Sequence, residues 1–128
     1  MNKKFSTLVA TLLLSSALIS VNATDVKTLA DFKADATTHQ VANIGDNKIV
    51  FLADIALDET TPYLLIDQNN LVIDGNDKTF TGHLVITGEN VTVKNLTIVH
   101  NGGGETFTKS AISVFASSVT ITGNTIKC

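Results

Sequence analysis

The sequence predicts an all-β fold: a right-handed parallel β-helix closed at its N-terminal end by one α-helix. Three observations predict it. A short β-patterned segment recurs three times, starting at Asn70, Asn90 and Ser118. Within each copy, apolar and polar residues alternate with the period of two that a strand imposes, and the copy closes on Gly or Asn. Helical spacing occurs in one stretch, residues 25–36, ahead of every strand-like segment.

The first 23 residues read as an export signal. Lys3 and Lys4 form a basic start, and Leu8 to Ile19 is mostly apolar with Leu12, Leu13 and Leu14 at its centre. Val21, Asn22 and Ala23 place small residues where a signal peptidase reads, so the cut is expected after Ala23. The apolar run, interrupted by Ser15, Ser16 and Ser20, is too short to span about 30 Å of hydrocarbon. The mature chain is then residues 24–128. Seven Lys face twelve acids in it, a net charge of −5.

In residues 25–36, Val26, Leu29, Phe32 and Ala36 fall on one helical stripe. Thr24 or Asp25 is placed to cap the N-terminus, and Thr37, Thr38 and His39 to end the helix. The segment from 24 to 40 is expected to close the end of the β column. After it the period changes to two. Ile49 to Leu52, Ile55 to Leu57 and Tyr63 to Ile66 are short apolar runs, and short β-rich pieces separated by Gly, Asn and Asp follow to the end.

In the repeat, Leu71, Val91 and Val119 share one position, and Ile73, Val93 and Ile121 another. The residues between and after them, Val72, Thr92 and Thr120, then Asp74, Lys94 and Thr122, are mostly polar. The first set lines an interior and the second faces water. Gly75, Asn95 and Gly123 close the copies and are expected to take the left-handed backbone that bends the chain. The starts differ by 20 and then 28 residues. The second interval holds Asn101, Gly102, Gly103 and Gly104, which read as a loop inserted into one turn. Strands are expected over 71–73, 79–80, 84–86, 91–93, 96–99, 112–115, 119–121 and 125–126.

On residues 70–82 and 90–98 the chain resembles the pectate-lyase-like β-helix superfamily, and more closely the non-catalytic β-helix segments of bacterial surface proteins. The resemblance covers about residues 48–126 and implies an N-terminal helix cap, the role residues 25–36 fit. It implies no one activity, since the fold carries lyases, hydrolases, adhesins and passive stalks. Carbohydrate lyases of the superfamily use acids for calcium and a base, usually Arg. This chain has no Arg, and Lys94, on an outward position, is a poor base at neutral pH.

Other chemistries find little support. A pI near 5.4 without Arg argues against nucleic-acid binding. Asp67, Asp74 and Asp77 are the acids near one another; a hydrolase pair or a calcium site would draw on them, but Asn76 and Asp77 read as ordinary turn residues. His39, His83 and His100 show no metal-ligand spacing. Asn70, Asn90 and Ser118 read as a stacked turn ladder rather than a ligand row. With no Trp and one Tyr, Tyr63, the chain lacks the usual stacking platforms for sugars, and Phe51, Phe80 and Phe115 read as core.

The sequence therefore assigns no catalytic, cofactor-binding or metal-binding residue. The expectation is three segments: a signal peptide over 1–23, a capping helix over 24–40 and β-helix coils over 41–128. The expected function is a secreted module with a structural or surface-interaction role, periplasmic, cell-surface or extracellular, without catalysis, cofactor or later membrane segment. Its expected partners are a polysaccharide or other surface component, and further copies of itself through an uncapped C-terminal edge. The rival expectation is the N-terminal part of a longer polysaccharide lyase or glycoside hydrolase with catalytic residues beyond Cys128. Cys128, the one cysteine, reads as a free thiol, an intermolecular link or the mark of an incomplete chain.

Overall fold

The computed structural model describes residues 26–57, 63–100 and 110–127. The expected signal segment, Thr24, Asp25, the Gly-rich stretch and Cys128 lie outside the described residues.

Thirteen short strands and one helix are described. Strand β1 is Val26–Lys27 and helix α1 is Leu29–Thr38; β2 is Ala42–Ile44, β3 Lys48–Phe51, β4 Ile55–Ala56 and β5 Tyr63–Ile66. Then come β6 Val72–Asp74, β7 Thr79–Thr81, β8 Leu84–Ile86, β9 Thr92–Lys94, β10 Thr97–Val99, β11 Ile112–Val114, β12 Thr120–Thr122 and β13 Thr125–Lys127. They form three sheets, ordered β12-β9-β6-β3-β2 (sheet I), β13-β10-β7-β4 (sheet II) and β1-β5-β8-β11 (sheet III). From β3 onward the chain visits I, II and III in turn, and each strand pairs in parallel with the third strand after it. The fold is thus mostly β, with mainly parallel sheets and one helix.

The register matches the repeat. Val72, Thr92 and Thr120 are aligned, as are Ile73, Val93 and Ile121, and Asp74, Lys94 and Thr122. Every third strand lies over its equivalent, so equivalent apolar residues meet in columns. Ile49, Ile73 and Val93 are buried in sheet I, Phe80 and Ile98 in sheet II, and Leu64, Leu84, Ile66 and Ile86 in sheet III. Leu71 and Val91 fill the corner between sheets III and I. Several repeat strands begin and end one residue later than the pattern suggested, because the residue after each left-handed Asn or Ser is still turning.

Four expectations are corrected. First, the cap of α1 is Thr28, not Thr24 or Asp25: Val26 and Lys27 are drawn into a strand on β5, and the Thr28 side chain accepts from Asp31 N at 3.2 Å. Second, β2 pairs antiparallel with β3, a departure from the parallel rule. Third, Gly75 is not left-handed. Asn76 and Asp77 take the positive φ there, while Asn95 and Gly123 do so in the later copies. Gly75 is needed instead because a Cβ on it would meet Asn95 O at 2.5 Å. Fourth, Phe115 is 64% exposed rather than core: it follows β11, beyond the last inward position of sheet III.

Helix α1 buries Leu29, Phe32 and Ala36 over the end of the column, and the Phe32 ring lies tilted against Phe51, which meets Phe80 edge-on. This chain of aromatics ties the helix to the first two layers. Removing the Thr28 cap leaves an orphan N–H, so Thr28→Ala is expected to cost about 1 kcal/mol, and Thr28→Ser far less. In thermal melts, Thr28→Ala should lower Tm by roughly 4–8 °C.

Candidate functional site

The corner where the chain passes from sheet II to sheet III differs between layers. One layer turns through Gly82 and His83 alone, whereas residues 57–62 and 100–111 join the same sheets below and above it. The imidazoles of His83 and His100 come together at this corner. Val99 is in register with Thr81, so His100 lies opposite Gly82 and diagonal to His83. Their ring centroids are 5.7 Å apart, and both side chains are buried. Tyr63, one residue before the Leu64–Leu84 pair as His83 is, meets His83 edge-on at 6.2 Å. Ser113 Oγ stands 3.5 Å from His83 Nε2, the outer limit of a hydrogen bond.

The outer face of sheet III is drier than its counterparts. Val85 is buried there, so β8 is buried at all three of its residues. On sheets I and II the outward residues of the middle layers, among them Val72, Thr92, Thr79 and Thr97, are only half-buried. Two imidazoles, a phenol and a hydroxyl can exchange hydrogen bonds and protons. Among the described residues no group of three or more His, Cys, Asp or Glu is arranged to hold a metal ion.

In the sequence the three histidines are widely spaced and show no metal-ligand pattern; the structure leaves one of them apart from the other two. That one is His39, which ends α1, with Nδ1 3.0 Å from Asp35 O. His83 and His100 were hidden by a change of offset. The turn from β6 to β7 holds four residues and that from β9 to β10 holds two, so the repeat offset falls from 20 in sheet I to 18 in sheet II. Counting the shorter turn is the signal that would have paired them.

The acids are not gathered. Asp67 follows β5 at the corner towards sheet I, whereas Asp74 ends β6 and Asp77 lies in the turn after it. Asp74 Oδ1 accepts from Asn76 N at 2.9 Å, and Asp77 is itself left-handed. Lys94 stands in register with Asp74 on the outward face, half-buried. Asn70, Asn90 and Ser118 are all left-handed, and Asn90 Nδ2 donates to Asn70 Oδ1 at 2.9 Å. Asn70 and Asn90 thus bond one another between layers, while Asp74 accepts from turn backbone.

Comparison with protein-family models, with curated proteins and with solved structures returned no match.

Proposed function

We propose that the protein is a secreted right-handed parallel β-helix of the pectate-lyase-like kind, with a structural or surface-interaction role and no catalysis of its own. One observation carries this reading: the polar side chains at the turns are engaged between layers rather than offered to a ligand. Asn124 Nδ2 donates to Val93 O and its Oδ1 accepts from Leu96 N, Asn76 Nδ2 donates to Phe51 O, and Asn90 bonds Asn70. Such ladders stiffen a column and leave its outer rows to Thr, Val, Asp and Lys. Surface polysaccharide is the partner class this favours, through polar contacts along those rows.

Two measurements test it. In the cells that make the protein, its N-terminus is expected at Thr24 and the chain outside the inner membrane; a cytoplasmic chain that retains Met1 overturns export. Incubation with a panel of acidic and neutral polysaccharides is expected to leave their chain length unchanged; new unsaturated or reducing ends would favour the lyase or hydrolase reading. The outermost strands β12 and β13 support association of the mature chain with itself. Among the described residues each pairs on one side only, and Ile121 and Ile126 are 42% and 50% exposed. Light scattering on residues 24–128 is expected to show species larger than a monomer, and a compact monomer with a sharp, reversible melt counts against it.

A further inference from the structure

Among the described residues, two sheets continue by one strand beyond the β3, β4 and β5 layer and the third does not. Sheet I adds β2 to β3, and sheet III adds β1 to β5, whereas sheet II stops at β4. Helix α1 closes the core end, and an open cleft of about 280 Å³ lies between it and β4. Phe32, Ala36, Val41 and Ile55 make its apolar lining.

The free edge of β4 carries backbone groups directed into that space. Leu57 N donates to Thr81 O at 2.9 Å, so Leu57 faces β7. Along a parallel strand the N–H and C=O of successive residues point to opposite sides. Ala56, exposed on β4, therefore turns its N–H and C=O away from β7. An unpaired edge of this kind recognises extended backbone. The side-chain pattern it would select follows from the register. Ile55 belongs to the inward column of Phe80 and Ile98, so an added residue beside it must be apolar. Its neighbours face outward, near acids: Asp54 precedes β4, with Oδ1 held by Thr79 N at 2.9 Å, and Asp35 stands on the α1 wall, 2.7 Å from Lys27. Two carboxylates against one ammonium leave the charged rim net negative.

We propose that β4 is a strand-acceptor edge, and that a short extended peptide of alternating apolar and cationic residues adds to sheet II in the cleft between α1 and β4. The peptide's apolar side chains rest on the cleft floor, its cations lie beside Asp54 and Asp35, and its backbone pairs with Ala56. A folded partner does not fit so small a cleft; a few residues of strand do. The inference is independent of export and of any polysaccharide partner, because it rests on the edge and the cleft alone.

The probe is a capped peptide of alternating valine and lysine, titrated into the purified protein and followed by amide resonances and hydrogen exchange. Saturable shifts are expected at Ile55, Ala56 and Leu57, with exchange of the Ala56 amide slowed about tenfold or more. Backbone N-methylation of the peptide is expected to abolish binding, and replacing its lysines by glutamate to weaken it about tenfold. Asp35→Lys should weaken the lysine peptide and favour the glutamate one. Ala56→Pro should remove binding, since the lost N–H faces away from β7; if that variant fails to fold, the N-methylated peptide asks the same question of the native protein. Equal binding of the N-methylated peptide, shifts confined to β13, or no shift at all overturns the proposal. So does protection of Ala56 that grows with protein concentration without peptide, which would place a second copy on β4.

Discussion

Val93→Asp is expected to unfold the column, while Thr92→Asp leaves it standing. The two residues are neighbours on β9 and face opposite sides. Val93 is fully buried between Ile73 and Ile121, whereas Thr92 is half-buried on the outer row between Val72 and Thr120. A carboxylate at 93 would enter an all-apolar core column with no partner, at a cost of several kcal/mol, comparable to the whole stability of a small domain. At 92 the same group keeps its water, and the change should cost under about 1 kcal/mol in β-propensity and lateral packing. Circular dichroism melts of both variants decide the matter. Equal loss in the two, or greater loss at 92, would reject the register on which the stacked layers rest.

Gly88→Ala should cost about 3 kcal/mol although it adds a single methyl group. The backbone at Gly88 is not left-handed, so conformational strain is not the reason. A Cβ there would lie 2.3 Å from Gln68 O and 2.8 Å from Gln68 C, in the backbone of the layer below. Nor can the turn withdraw easily, since Thr87 N and Gly88 N both donate to Ile66 O, at 2.9 and 3.0 Å. Gly75→Ala should behave alike, with its Cβ 2.6 Å from Leu96 Cα on the other side. Gly45→Ala is the control: its nearest contact is Lys48 O at 3.3 Å in an exposed turn, and it should cost under about 1 kcal/mol. Denaturant midpoints at unchanged slope measure all three. A Gly88→Ala protein as stable as Gly45→Ala would mean that the layers do not approach so closely there.

Within the repeat, the sequence alone determined the register of sheet I and the interior columns of the first two copies. The physical reason is local: a period of two assigns each side chain to a face, and Asn70, Asn90 and Ser118 mark the turns by tolerating left-handed backbone. The helix over the column end was legible for the same reason, since Leu29, Phe32 and Ala36 share a stripe whatever covers them. In the third copy Ile121, expected in the interior, is 42% exposed and Val119 half-buried, because β12 pairs only with β9 among the described residues.

Tertiary structure alone decided the rest. Val26 carries the helical stripe yet pairs with Tyr63 on β5, because a strand edge 37 residues away competes with one more helical turn. Gly75 sits where the repeat predicts a conformational glycine and is a steric one, a distinction made only by the neighbouring layer. The pairing of His83 with His100, and the cleft beside β4, depend on how many residues each turn consumes and on which sheet lacks a strand. Those are sums over the whole path of the chain, and no single segment contains them.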